Sequence, residues 1–240
     1  MTVKIIVNGI RGKMGTVTAQ ALNKESDLMI VAGTNRNDNL SETIKQTGAD
    51  IVIDFTGPDV VFANSETIIA AGAKPIIGTS GLTLDQIQQL ESQCKDKQIG
   101  GIIAPNFSLS AILMMRFASQ AARYFNDVEV IEMHHPHKVD SPSGTATKTA
   151  QMISANRKGR SVNKDNAPAR GDLSHDIPIH SVRLPGLFAH QTVMFGGTGE
   201  LLSIRQDSMD RSCMMPGIVM ACRKVMALDH LVYGLENLLD

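Results

Sequence analysis

Apolar positions in the first hundred residues fall in short solid runs separated by amphipathic stretches. VKIIV (3–7), LMIVA (28–32), DIVIDF (50–55), KPIIGT (74–79) and GGIIA (100–104) are β-rich and apolar almost throughout, without a polar alternation. Helical patterns lie between them at Met14–Lys24, in the run after Pro58 that closes at Gly72, and at Leu84–Lys97. Pro58 suits a first helical turn, and Gly72 suits a helix C-terminus. Apolar strands alternating with helices predict a parallel sheet covered on both faces.

After about Ser108 the pattern changes. Ser110–Phe125 reads as a helix, VEVIEM (128–133) as a strand, and Ala146 onward as a second helix. The polar stretch 157–176 has little periodicity and predicts a mobile loop. IHSVRL, QTVMF and ELLSIRQ (179–184, 191–195, 200–206) predict three strands, with GGTG turning a hairpin between the last two. Met215–Leu239 again reads as helical. The expected class is therefore α/β. A Rossmann-like parallel-sheet domain takes residues 1–107 and 212–240, and an α+β domain occupies 108–211.

Composition narrows the function. The 240 residues carry Lys+Arg 23 against Asp+Glu 24, a net charge of -1, so no global basic field recruits nucleic acid or an anionic membrane. No run approaches the ~20 apolar residues of a membrane span, and the N-terminus does not read as a secretory signal. Cys94, Cys213 and Cys222 are odd in number and unpaired in spacing, which points to a reducing cytoplasm.

The first strand runs straight into Gly9, Ile10, Arg11, Gly12, Lys13, Met14 and Gly15, a G-x-x-G-x-x-G loop opening a helix. Glycines allow a tight turn and close approach of a pyrophosphate to the helix N-terminus, and Lys13 adds a cation. The second strand ends in Asn35-Arg36 with no carboxylate for ribose hydroxyls. Arg36 can pair with a 2′-phosphate or be a solvated turn residue; the first reading expects NADPH to serve at least as well as NADH. Gly78-Thr79-Ser80-Gly81 and Ala104-Pro105-Asn106-Phe107 follow the fourth and fifth strands, where an open parallel sheet receives its ligand.

Three of the seven histidines sit in EMHHPHKVDSPSGTAT (132–147). As a metal site this lacks ligand spacing, because His134 and His137 follow a strand and no His-Glu-x-x-His occurs; no metal is expected. As an acid–base and anion site it uses more of the residues. His134 exchanges protons near neutrality, Lys138 brings positive charge or a proton, and Ser143 is a natural helix N-cap. The N–H groups of Gly144 and Thr145, with the threonine hydroxyl, then suit a carboxylate. A small anionic substrate follows.

These motifs, GxxGxMG, GTSG, APNFS, E-x-HHPHK-x-D-SPSGTA and RLPGLFAHQTVMFG, resemble the dihydrodipicolinate reductase family along essentially the whole chain and in the same order. The His-rich segment carries most of that specificity. The resemblance implies an NAD(P)H-dependent reduction of 4-hydroxy-tetrahydrodipicolinate to tetrahydrodipicolinate in diaminopimelate and lysine biosynthesis. His134 would exchange the proton and Lys138 would donate one. His135, Lys138, Ser143, Gly144 and Thr145 would hold the dicarboxylate. The cofactor, NADPH or NADH, would lie along Gly9–Gly15, Asn35, Arg36, Gly78, Thr79, Ser80 and Ala104–Phe107, with Arg211 near the domain junction. Ser80 stands where many relatives carry a second threonine. A homotetramer assembled through the second domain's sheet is implied as well, and His137 is left without a role.

Two other classes use the same architecture. An aldehyde-oxidising dehydrogenase needs an activated cysteine, whereas Cys94 lies in a polar helical QCKDKQ context. A dinucleotide-sensing transcription regulator needs a DNA-reading element, which neither charge nor pattern offers.

Overall fold

Six strands pair only in parallel: β1 (Val3–Asn8), β2 (Leu28–Thr34), β3 (Ile51–Asp54), β4 (Lys74–Ile77), β5 (Gly101–Ile103) and β11 (Leu231–Tyr233), in the order β11-β5-β4-β3-β1-β2. In this computed structural model, residues 2–159 and 168–239 are described. Ile5, Ile6, Val7, Ile51–Ile53 and Ile76–Ile77 are fully buried, as strands covered on both faces must be. The helices are α1 (Lys13–Leu22), α2 (Leu40–Thr47), α3 (Val61–Ala70), α4 (Leu84–Lys97) and, from the end of the chain, α7 (Met215–Lys224). Chain order reverses between β1 and β3, and the crevice beyond their carboxyl ends is where such sheets bind ligands.

The second sheet follows different rules. β6 (Asp127–His134) lies at its centre, in the order β10-β9-β6-β8-β7, with β7 (Asp172–Ser174), β8 (Ile177–Arg183), β9 (Ala189–Gly197) and β10 (Glu200–Ser208). Only β6 and β8 run parallel; the other pairs are antiparallel. Along β6, Val128, Val130 and Glu132 are buried while the intervening residues are half-exposed. This period of two marks a sheet covered on one face, here by α5 (Leu109–Ala121) and α6 (Gly144–Asn156). The chain divides into two units, Met1–Phe107 with Met214–Asp240, and Ser108–Cys213.

The nine expected strand runs, the helix between β4 and β5, and the β9–β10 hairpin turned by Thr198-Gly199 (Gly199 φ 77) form where expected. Three elements differ. The helix expected over 215–239 stops at Lys224, and Leu231–Tyr233 instead adds a parallel strand beside β5. It fits there because Gly100 and Gly101 have no side chains: a Cβ on Gly100 would stand 2.3 Å from the Leu228 carbonyl oxygen. The stretch 40–47 is a helix that periodicity passed over, capped by the Asn39 side chain and ended by Gly48 at φ 60. Within the expected loop 157–176, residues 160–167 lie outside the described residues, but Asp172–Ser174 form β7, paired with β8 as an edge strand. Pro58 precedes α3, which begins at Val61, so it belongs to the turn before the helix. The return of the C-terminal segment to the first unit is held by packing of α7 on α1 and by Arg223, which grips Asp27 through two bonds of 2.8 Å and Glu25 at 2.7 Å.

Candidate active site

In the first unit, three of the four expected cofactor segments, the glycine loop and the turns after β4 and β5, converge on Phe55. Gly9 has φ 86, and a Cβ there would lie 2.4 Å from the Phe55 carbonyl oxygen. A Cβ on Gly78 would meet the Phe55 ring at 2.3 Å, and the Phe55 and Phe107 rings pack edge to face at 6.0 Å. The loops after β1, β3, β4 and β5 therefore form one continuous wall. Gly15 admits α1 close to that wall, since a Cβ would come within 2.2 Å of the Gly9 carbonyl oxygen. No side chain caps α1 at Gly12, and no acidic residue lies in its first turn, while Arg11 and Lys13 are exposed. Such a helix start suits a pyrophosphate. Gly9 N–H donates to the Thr34 carbonyl at 2.7 Å and Arg11 N–H to Asn35 Oδ1 at 3.2 Å, which ties the glycine loop to the end of β2. Arg36 is exposed.

A buried carboxylate that no sequence motif announced joins these loops. Asp54, fully buried, accepts from Asn8 Nδ2 at 2.9 Å, Asn64 Nδ2 at 3.0 Å, the Thr56 hydroxyl at 2.7 Å and amide at 3.1 Å, and the Thr79 hydroxyl at 2.6 Å. Asn8 Oδ1 in turn accepts from the Thr34 hydroxyl at 2.9 Å. The ends of β1, β3 and β4 are thus stitched through one side chain, and the end of β2 is joined to it through Asn8. Asp38 was also passed over: its carboxylate accepts the Asn35 N–H at 2.8 Å, so an acidic residue does stand in the turn after β2.

In the second unit, the His-rich stretch links β6 to α6. His134 ends β6, 13% exposed, with Nδ1 2.5 Å from Glu132 Oε2. Glu132 is fully buried and also accepts two bonds from the Arg183 guanidinium, at 2.9 and 2.7 Å, and the Ser143 N–H at 3.3 Å. Burial alone would raise the Glu132 pKa, but hydrogen bonds from His134, Arg183 and Ser181 and the charge of His134 outweigh it and hold it at about 2. The Leu184 N–H fixes the His134 carbonyl at 3.1 Å. Glu132 and Arg183 are the side chains around His134 that residue-type reasoning missed. The E-x-H pattern was visible, but Arg183 arrives from β8, opposite His134 in the parallel register.

Ser143 caps α6, accepting the Ala146 N–H at 3.2 Å, and the helix begins two residues earlier than expected, at Gly144. Lys138 Nζ grips the Asp140 carboxylate at 2.7 and 2.9 Å. That carboxylate is held below its ordinary range, first by Lys138, against burial, with a further contribution from a hydrogen bond donated by the Gly144 backbone. The lysine, read as part of a carboxylate grip, thus already holds a carboxylate of the chain itself. A Cβ on Gly144 would meet nothing within 4 Å, so the helix start is open. His135 Nδ1 is buried without a hydrogen-bond partner among the described residues, while His137 is exposed with its ring 6.2 Å from that of His135. Arg211 belongs to this second unit, its guanidinium 5.8 Å above the Phe188 ring.

Among the described residues no group of three or more His, Cys, Asp or Glu side chains is arranged for a metal, and no helix is long and apolar enough to cross a membrane. Cys94, Cys213 and Cys222 are unbridged. Burial pushes the Cys94 thiol up to about 11 and that of Cys222 to about 12, which is the reverse of an activated nucleophile.

Comparison with known proteins accounts for both halves. Residues 3–107 match the family profile described as "Dihydrodipicolinate reductase, N-terminus", and residues 110–239 match "Dihydrodipicolinate reductase, C-terminus". Two relatives named 4-hydroxy-tetrahydrodipicolinate reductase, from Coxiella burnetii and Legionella pneumophila, are 59% and 56% identical, each alignment covering 100% of both chains. The solved structure of a dipicolinate-bound dihydrodipicolinate reductase from Paenisporosarcina sp. TG-14 superposes with a TM-score of 0.91 at 40% identity, again over 100% of both chains. Motif order, two-unit architecture and full-length similarity agree: the chain belongs to the dihydrodipicolinate reductase family.

Proposed function

We propose that this oxidoreductase converts 4-hydroxy-tetrahydrodipicolinate to tetrahydrodipicolinate with His134 exchanging the proton and the Lys138–Gly144 region holding substrate carboxylate. The balance is one hydride and one proton in, and the 4-hydroxyl out as water. A reduced nicotinamide dinucleotide supplies the hydride when bound. The observation that carries the reading is the Asp140 carboxylate gripped by Lys138 Nζ at 2.7 and 2.9 Å, a few residues from a histidine whose Nδ1 is already committed to Glu132. A substrate carboxylate has the same chemistry and would exchange with Asp140 on those donors. The orphaned Nδ1 of His135, with Ser143 and Thr145, supports a second polar grip.

The cofactor's pyrophosphate is assigned to Gly9, Ile10, Arg11, Gly12 and the uncapped first turn at Lys13, Met14 and Gly15. Its nicotinamide end is assigned to Gly78, Thr79, Ser80 and Ala104–Phe107, with Asn35 and Arg36 at the ribose. The open guanidinium of Arg36 favours a 2′-phosphate and Asp38 opposes it, which keeps NADPH at least equal to NADH. We assign Arg211 to this group by family resemblance alone. The half-exposed residues on the outer face of β6, together with Leu201 and Leu202 at 67% and 37% exposure on edge strand β10, support assembly into a homotetramer. Three unbridged cysteines fit a cytoplasmic location.

A coupled assay on synthase-generated substrate tests the reading. NADPH oxidation should depend on the dicarboxylate, persist after chelation, and show a kcat/KM for NADPH no lower than for NADH. His134→Gln should lower kcat by roughly 10²–10⁴-fold with NADPH affinity unchanged. Turnover near the parent's would remove His134 from the proton step, and light scattering at a dimer's mass would remove the tetramer.

A further inference from the structure

We infer that Glu132 and Arg183 form a positioning pair that sets the tautomer of His134 and leaves Nε2 as its proton-exchanging atom. The inference rests on the proton role of His134 proposed above. Glu132 Oε2 accepts from His134 Nδ1 at 2.5 Å, so the ring carries its retained proton on Nδ1. When the imidazolium gives up a proton to substrate, that proton leaves Nε2, and the neutral ring keeps Nδ1–H against the carboxylate. Arg183 makes this possible by occupying both oxygens of Glu132, at 2.9 and 2.7 Å, which keeps the carboxylate ionised and fixed in orientation.

The arrangement is built from fixed parts. Glu132 and His134 are two residues apart on β6, and Arg183 stands opposite His134 in the β6–β8 register. Arg183 also donates to the Asp140 carbonyl at 2.9 Å, and Glu132 receives the Ser143 N–H, so the pair sets both ends of the turn that carries His135 and Lys138. Neither Glu132, fully buried, nor Arg183, committed to Glu132 and two backbone carbonyls, is placed to bind substrate itself. Their effect on the reaction passes through His134.

The test is a double-mutant cycle with an NMR reading of the ring. In the intact protein, selectively ¹⁵N-labelled histidine should show the His134 signal, identified by its loss in His134→Gln, as the Nδ1–H tautomer once neutral; an Nε2–H signal overturns the inference without any further variant. Glu132→Gln should lower kcat by about 10–100-fold, a range set by analogous carboxylate–histidine pairs, with KM and NADPH affinity within about twofold. Placed in the His134→Gln background, the same change should cost less than about twofold more. An equal loss in both backgrounds would show that Glu132 acts independently of His134, and parental kcat in Glu132→Gln would show that it does not act at all. Should Glu132→Gln fail to fold, Arg183→Lys, which keeps the charge but not the two-point grip, should shift the ring toward mixed tautomers and lower kcat; an unchanged spectrum and rate overturn the pair. Parental turnover in His134→Gln alone strikes the underlying proton role, whereas a slow His134→Gln beside a normal Glu132→Gln strikes this inference only.

Discussion

Asp54 and Glu132 are the two acidic side chains that the described residues bury completely, one in each unit, and their partners are of opposite character. Asp54 is surrounded by two amides, two hydroxyls and a backbone N–H, all neutral. Glu132 is held by an arginine and a histidine, with one backbone N–H. A buried carboxylate needs its lone pairs satisfied in either case. Neutral donors do this without changing protonation at working pH, and therefore make a joint between strand ends. Histidine ties the carboxylate to the side chain proposed above as the proton exchanger, and arginine holds both of its oxygens. The first arrangement suits loops that must hold still around a cofactor, and the second suits a group that must change charge during turnover.

Removing the joint should produce the largest effect. Asp54→Ala strands Asn8, Thr56, Asn64 and Thr79 around an empty buried position, and several unsatisfied groups at ~1–3 kcal/mol each make a loss of roughly 4 kcal/mol or more. Urea unfolding of the full chain reads it. Asp54→Asn keeps one acceptor oxygen and should lose about half as much. If the asparagine variant is as unstable as the alanine one, the negative charge is essential to the joint, and Asp54 and Glu132 do not differ in kind.

Acid should act next, and on the other carboxylate. Glu132 moves from an ordinary 4.5 to about 2 in the folded chain. A depressed folded pKa means that its stabilisation is complete above about pH 4.5 and is lost as pH falls toward 2. The shift corresponds to on the order of 3 kcal/mol. Acid unfolding followed in the parent and in Glu132→Gln should show this limb in the parent and a flatter one in the variant. Parallel curves would mean that Glu132 is not the group whose protonation opens the second unit.

Both carboxylates also show where sequence reading stops. The solid runs that became β1, β3, β4 and β5 were legible because burial on both faces is written into consecutive residues. The glycine loop and the Ser143 cap were legible because their chemistry is local. Asp54 was just another residue of DIVIDF, and its partners lie up to 46 positions away. Arg183 is 51 positions from Glu132 and meets it only because β8 pairs in parallel with β6. The same reason hid β11, whose three residues become a strand only against glycines more than a hundred positions earlier. α2 offered a local sign, Asn39 three residues before Glu42, but only Leu40 and Ile44 to suggest its buried face. Local chemistry was readable; long-range pairing had to be seen.

The outer edge of the Asp54 network gives a smaller and sharper test. Thr34 touches Asn8 rather than Asp54, so Thr34→Val removes one donor and leaves Asn8 Oδ1 buried without it. The cost should be about 1–2 kcal/mol. KM for the cofactor should rise severalfold, since Thr34 also ends the strand to which Gly9 is bonded, while KM for the dicarboxylate stays unchanged. Equal changes in both constants would deny the first unit a separate role in holding its loops.

The smallest effect should come from Ser143, because it meets the Glu132 cluster through its backbone and caps α6 through its side chain. Ser143→Ala removes the acceptor for the Ala146 N–H and should cost about 1 kcal/mol, but the N–H that reaches Glu132 remains. The tautomer of His134, read by ¹⁵N shifts, should therefore stay as in the parent, and kcat should change less than KM for the substrate. A fall in kcat as large as that of Glu132→Gln would mean that the cap, rather than the buried ion pair, sets the histidine. The difference between the two carboxylates would then reduce to how firmly each turn is anchored, with no part for the charge of their partners.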